Sequence, residues 1–201
     1  MSLSASIALA RKLVAPAVFL TISLLFFSAQ ASSPAVVTYE GVAPTFGGPF
    51  ALVDQSGRIR RDTDFRGKLM MIYFGDTHCT DVCPLELQKM SGVIDLLGPK
   101  ASDVQPVFIT GDPHRDTVKR LKEYFSKFPP QFVALTGSDQ QISDVMREFQ
   151  VDFDRVEKAG GDYDFDHTSL IFLMDRQGHH IEHFGTSFSA EEIAKAIEEH
   201  L

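Results

Sequence analysis

Apolar and polar positions alternate along this chain in a regular order of strand and helix patterns. Residues 69–74 and 104–110 are apolar at nearly every position, the pattern of buried strands. Between them Val82, Leu85, Leu87, Met90, Val93, Ile94 and Leu97 return at spacings of three and four. That spacing predicts a helix over about residues 81–97, stopped by Gly98-Pro99. Asp116 or Thr117 can cap a second helix to about residue 128, ended by Pro129-Pro130, and residues 132–135 read as a short strand. Ser138 with Gln141, and Ser189 with Glu192, are capping-box pairs. They open two more helices, one to about residue 149 and one to the C-terminus. Residues 50–53 and 58–60 flank a Gly57 turn and form a small hairpin. Residues 151–156 read as a strand that turns at Gly160-Gly161, and residues 170–174 and 180–184 as a hairpin about Asp175-Arg176-Gln177-Gly178.

Early alternation of strand and helix implies parallel crossovers, and the terminal hairpin implies antiparallel pairing. The prediction is an α/β fold, a mixed sheet flanked by helices on both faces. The 201 residues allow one ordinary domain with a sizeable core. With 19 Lys+Arg against 27 Asp+Glu the net charge is −8, which argues against a nucleic-acid partner.

The N-terminus differs from the rest. Arg11 and Lys12 are the only charges before residue 40, and an apolar stretch over residues 13–27 leads to Ala29-Gln30-Ala31. This layout predicts a secretory signal over residues 1–31. The alternative is an N-terminal membrane anchor, since residues 13–31 are uncharged and marginally long enough to span. Both readings export the domain, to the soluble periplasm or the periplasmic face of the inner membrane. Residues 32–49, rich in Ser, Pro, Ala, Gly and Thr, read as a linker, and residues 50–201 as the domain.

The chain's two cysteines, Cys79 and Cys83, follow the first buried strand across a Gly75-Asp76-Thr77 turn and precede Pro84. A strand-to-helix junction offers unpaired backbone N–H groups that favour negative charge, so a thiolate there has a lowered pKa. Four residues apart, the sulfurs can close a disulfide or grip one metal ion. A disulfide over so short a loop constrains the unfolded chain little. With a dithiol at this junction the predicted sheet is thioredoxin-like.

Three segments carry a resemblance. Ile72-Tyr73-Phe74-Gly75 with Thr77-His78-Cys79 and Asp81-Val82-Cys83-Pro84, then residues 112–117 (Asp-Pro-His-Arg-Asp-Thr), then Asp166-His167-Thr168-Ser169 before an apolar strand, resemble the Sco family. These are exported thioredoxin-fold proteins that handle copper during assembly of cytochrome c oxidase. The similarity covers about residues 50–201. It implies one copper, as Cu(I) or Cu(II), held by Cys79, Cys83 and His167. The implied partners are oxidase subunit II as acceptor, a thiol reductant and an upstream copper donor. Two sulfurs and an imidazole suit Cu(I), and an added oxygen would suit Cu(II). Zinc would normally take a fourth ligand, and there is no third Cys. His167 is expected on a loop, in the region where thioredoxins carry a cis-proline; here no proline follows Pro130.

The chain departs from the family at Asp76, where many members have an aromatic or apolar residue, and at Thr80, where Pro is common. Asp76 is expected to alter the site's electrostatics but not its ligand set. Asp81 is expected to cap the first helix or tune the thiols, and His78 to point away from the metal. Asp112, Arg115 and Asp116 are expected to form a turn, a helix cap and an ion pair. His179, His180 and His183 are read as a polar turn.

A copper metallochaperone is the function this reading favours. A thiol–disulfide oxidoreductase, with Cys79 and Cys83 as its redox pair, is the main alternative. A thioredoxin-fold peroxidase is a third, with no evident Arg and Thr arrangement around one Cys to support it.

Overall fold

The computed structural model describes residues 46–201. The predicted signal or anchor, and most of the predicted linker, lie outside the described residues. At the end of the predicted linker Phe46 packs 5.6 Å from the Phe172 ring, and the Gly47 N–H donates to the Glu148 carbonyl at 2.8 Å.

Strands β1 (Ala51–Asp54) and β2 (Ile59–Arg61) form the small hairpin, and β3 (Leu69–Gly75) leads through a loop into helix α1 (Val82–Leu97). Strand β4 (Val104–Thr110), α2 (Val118–Phe125), β5 (Val133–Thr136) and α3 (Asp139–Glu148) follow. An arm of β6 (Phe153–Glu157) and β7 (Tyr163–His167) precedes β8 (Ile171–Met174), β9 (His180–Phe184) and α4 (Ala190–Glu198). The main sheet runs β2-β1-β5-β4-β3-β8-β9, with β3, β4 and β5 parallel and the outer strands antiparallel. It is a mixed sheet, as the alternation of patterns predicts, and thioredoxin-like, as expected from a dithiol at the first strand–helix junction.

The continuous apolar run of β3 has a plain cause. All seven of its residues are buried because both faces of the sheet are covered. Met71 and Tyr73 pack with Leu87 and Met90 of α1, Leu121 of α2 and Ile193 of α4. Met70, Ile72 and Phe74 face the other way, onto Ile142 and Val145 of α3 and onto Phe149. Each such side chain contributes about 1.5–3 kcal/mol when fully buried. Both capping boxes form: Ser138 and Ser189 each accept a backbone N–H from the residue three further on, and Gln141 and Glu192 return the bond.

Several details differ from the sequence expectation. Helix α2 ends at Phe125, and the chain continues to Phe128 as a turn, its N–H donating to the Phe125 carbonyl. Asp81 holds the cap position of α1, but its side chain makes no capping bond. His167 sits at the end of strand β7 rather than on a loop.

Strand β7 pairs antiparallel with β6, Phe153 opposite His167, in a two-stranded arm separate from the main sheet. Its aspartates disfavour a strand by propensity. Alternation decides instead: Phe153 packs on Phe165 at 4.5 Å and stacks on His167 at 4.8 Å. The guanidinium carbons of Arg115 and Arg155 both lie 3.7 Å from the Tyr163 ring centre, a favourable cation–π geometry. The ring of Phe153 occupies the space a Cβ on Gly111 would need. No helix among the described residues is long and apolar enough to cross a membrane.

Gly111→Ala is therefore expected to displace Phe153 and destabilise the domain by about 1–3 kcal/mol. Amide hydrogen exchange checks it: β6 and β7 should exchange faster while β3 and β8 stay protected. Unchanged protection in β6 and β7 would show that Phe153 does not anchor the arm.

Candidate metal centre

Strand β3 ends at Gly75, where the absent side chain leaves room for sulfur. A Cβ on Gly75 would lie 2.9 Å from Cys83 Sγ and 3.0 Å from the Tyr73 ring. Cys83, in the first turn of α1, is fully buried, whereas Cys79 lies in the loop before the helix and is partly exposed. The two cysteines are thus not on one helical face. Cys79 Sγ instead accepts the Cys83 backbone N–H at 3.5 Å, so the sulfur satisfies one of the helix's orphan donors where the Asp81 carboxylate does not.

Around Cys83 the Tyr73 hydroxyl donates to Sγ at 3.6 Å and contacts the Ser169 hydroxyl at 3.2 Å. His167 Nε2 lies 3.4 Å from the same sulfur, and its Nδ1 lies 3.0 Å from the Thr168 carbonyl. A carbonyl only accepts, so Nδ1 carries a proton and Nε2 is the nitrogen turned to sulfur. The imidazole is held between the Phe153 ring, stacked at 4.8 Å, and the edge of Tyr73 at 6.3 Å. The end of β7 is pinned in turn, the Thr168 N–H donating to the Asp152 carbonyl at 3.0 Å.

The thiols are electrostatically unlike. Hydrogen bonding from Cys83 outweighs burial, and with help from His167 it pulls the Cys79 thiol down to about 3. The same bond, reinforced by burial, pushes Cys83 up. Burial opposes protonation of His167, but the nearby Cys79 thiolate and the bond to the Thr168 carbonyl raise it above the usual imidazole value. One sulfur is thus a half-exposed thiolate and the other a buried thiol, with an imidazole at hand.

The loop between β3 and α1 hangs on a buried aspartate. Asp116 accepts the Thr77 N–H at 3.0 Å, the Thr77 hydroxyl, and the Thr110 hydroxyl at 2.7 Å. Arg120 Nη2 donates to the Thr77 carbonyl at 2.9 Å, and His78 Nδ1 lies 3.6 Å from Asp116. Asp116 is therefore a brace, and the cap of α2 is Thr117, which accepts the Arg120 N–H. Asp112 does pair with Arg115, and Arg115 reaches on to the Tyr163 carbonyl at 2.9 Å. Of the three histidines read as a polar turn, only His179 is in the turn, pairing with Asp175 at 3.2 Å; His180 and His183 belong to strand β9, against Phe46.

Two residues near the sulfurs were not expected there in these roles. Tyr73 reads from sequence as a plain core residue. Asp76, expected only to change the electrostatics, brings a carboxylate oxygen to within 4.8 Å of both sulfurs.

Residues 39–201 match the family described as SCO1/SenC. The chain belongs to the SCO1/SenC family. It is 45% identical over 149 residues to an SCO2-like protein of Rickettsia prowazekii, covering 73% of each chain. It is 43% identical to protein sco1 of Schizosaccharomyces pombe, covering 77% of this chain but only 60% of that protein. Among solved structures it is similar to Bradyrhizobium japonicum ScoI with copper bound, at 40% identity and a TM-score of 0.73, covering 78% of this chain and 99% of that one. Yeast Sco1 with copper bound gives 36% identity and a TM-score of 0.72, covering 78% and 88%. The three segments that carry the family resemblance meet in this chain: Cys83 touches His167, and Asp116 braces the loop that carries Cys79.

The inequality of the thiols gives a direct expectation. At about pH 6 a free thiol of pKa about 8.5 is almost wholly protonated, yet iodoacetamide should alkylate Cys79 of the reduced protein readily and leave Cys83 untouched. Peptide mapping reads the result, and equal labelling of both cysteines would contradict the assignment.

Proposed function

We propose that this chain is a copper metallochaperone. It holds one copper through the sulfurs of Cys79 and Cys83 and Nε2 of His167, and passes it to the binuclear copper site of cytochrome c oxidase subunit II. The observation that carries the reading is the Cys83 sulfur at the end of β3, with His167 Nε2 3.4 Å from it and Cys79 Sγ accepting the Cys83 N–H. Solved relatives of the same family hold copper. The donor set fits the cargo: two soft sulfurs and an imidazole match Cu(I) and tolerate Cu(II). The Thr168 carbonyl fixes the tautomer that leaves Nε2 free, as a second shell does for a metal-binding histidine.

Transfer follows from the asymmetry of the pair. Cys79 is the ligand an incoming acceptor thiolate can reach and displace, while Cys83 and His167 hold the ion until a second acceptor ligand arrives. No electron moves in that exchange. The pattern of residues 1–31 supports export, so delivery would take place on the periplasmic side of the inner membrane. An upstream copper donor and a thiol reductant complete the cycle, because an oxidising compartment favours the disulfide form of the pair.

The same asymmetry favours a second activity. The exposed Cys79 thiolate can attack an acceptor disulfide and form a mixed disulfide, and Cys83 can then displace the reduced acceptor, leaving a Cys79–Cys83 disulfide for the reductant to open.

The reduced protein should bind one Cu(I) per chain against a competing chelator. Cys79→Ala and Cys83→Ala should lose it, and His167→Ala should weaken it about tenfold or more, which is about 1.4 kcal/mol or more. Wild-type affinity in His167→Ala would remove the histidine from the ligand set. If the wild-type protein binds no copper but reduces a disulfide-form acceptor peptide, the second activity is the function.

A further inference from the structure

Asp76 has no task in the three-ligand site, yet its side chain is wholly buried beside it. A buried carboxylate is costly unless its oxygens are paired. One of them is: Oδ1 accepts the His78 N–H at 2.9 Å and the Cys79 N–H at 2.8 Å. Oδ2 has no hydrogen-bond partner. Arg115 does not supply one, for its Nη2 stands 4.0 Å from Oδ1 and is itself without a partner. A carboxylate oxygen of Asp76 and the two sulfurs all lie within 4.8 Å of one another. An ion bound at about 2.0–2.3 Å from each ligand reaches all three with small side-chain movements.

We infer that Asp76 supplies a fourth, oxygen ligand to Cu(II), and so shifts the balance of this site toward the oxidised ion relative to the same three ligands without it. The inference rests on the copper-carrier reading of Cys79, Cys83 and His167. Its physical basis is the different demand of the two ions. Cu(I) is satisfied by soft sulfur at low coordination number, whereas Cu(II) prefers a fuller, tetragonal set that includes nitrogen and oxygen. A negative oxygen also stabilises the doubly charged ion more than the singly charged one. The ligand is pre-positioned: the two N–H groups on Oδ1 fix the carboxylate, and the Thr77–Asp116 bonds fix the turn that carries it.

Asp76→Asn tests this in the full chain, since an asparagine keeps an oxygen for the two N–H groups while losing the anionic ligand. Cu(I) and Cu(II) affinities are measured by chelator competition, and the potential of the bound copper by redox titration. The expected result is Cu(I) affinity within about threefold of wild type and Cu(II) affinity lower by about tenfold or more. The potential should rise by about 59 mV for each tenfold loss of relative Cu(II) affinity. Unchanged Cu(II) affinity and potential, with copper still held by Cys79, Cys83 and His167, would overturn the inference and leave the carrier reading intact. A wild-type chain that holds neither ion overturns both. Should the variant fail to fold, the wild-type Cu(II) protein carrying carboxyl-labelled carbon-13 aspartate decides the question by electron–nuclear double resonance. A strong carboxyl coupling to the copper supports the Asp76 ligand, and its absence overturns it.

Discussion

A sulfur atom stands 2.9 Å from where a Cβ on Gly75 would lie. Strand β3 is buried on both faces, and its last residue has no Cβ, so Cys83 Sγ can close over the strand end. The position of α1 follows, because Cys83 belongs to its first turn. Tyr73, two residues before Gly75 on the same face of β3, places its hydroxyl on that sulfur. His167 reaches the same sulfur from an arm that stands outside the main sheet. A donor cluster assembled from β3, α1 and β7 thus depends on one close approach at the middle of the sheet.

The surroundings of that contact divide into a rigid part and an accessible part. Cys83 and Tyr73 lie in the fully buried core shared with α1 and α4. Cys79 lies on the loop, partly exposed, with its conformation set by Asp76 from within and Asp116 from beneath through Thr77. The proposed carrier role needs that division. Buried ligands retain the ion, and an exposed one lets an acceptor begin the exchange. Burial and hydrogen bonding give the two thiols opposite proton affinities, so they are chemically distinct although only four residues apart.

Much of the scaffold was legible because its signals are local. Helix α1 shows its period, α3 and α4 show their capping boxes, and β3 and β4 show the unbroken apolar runs of strands covered on both faces. The arm was only half legible. Residues 151–156 read as a strand, close to the observed β6, but Tyr-Asp-Phe-Asp-His over 163–167 does not. It becomes one through the Phe153 stack on His167 and the arginines on Tyr163. Residues 112–117 were legible as a turn, but not Asp116 as the brace of a loop almost forty residues earlier, a contact made by the crossover through β4. Cys79 took the capping part expected of Asp81: the carboxylate at the cap position makes no capping bond, and the sulfur accepts the helix N–H. Asp76 stood out in the sequence as an unusual residue beside the cysteines. Its unpartnered oxygen could be seen only once the loop was folded around it.

The central claim is that one copper sits among Cys79, Cys83 and His167, and X-ray absorption of the Cu(I)-loaded protein tests it most directly. The account predicts a copper edge and fine structure with two sulfur neighbours and one imidazole nitrogen, the nitrogen lost in His167→Ala and one sulfur lost in Cys79→Ala. A copper surrounded by nitrogen and oxygen alone, with no sulfur neighbour in the wild-type protein, would contradict it.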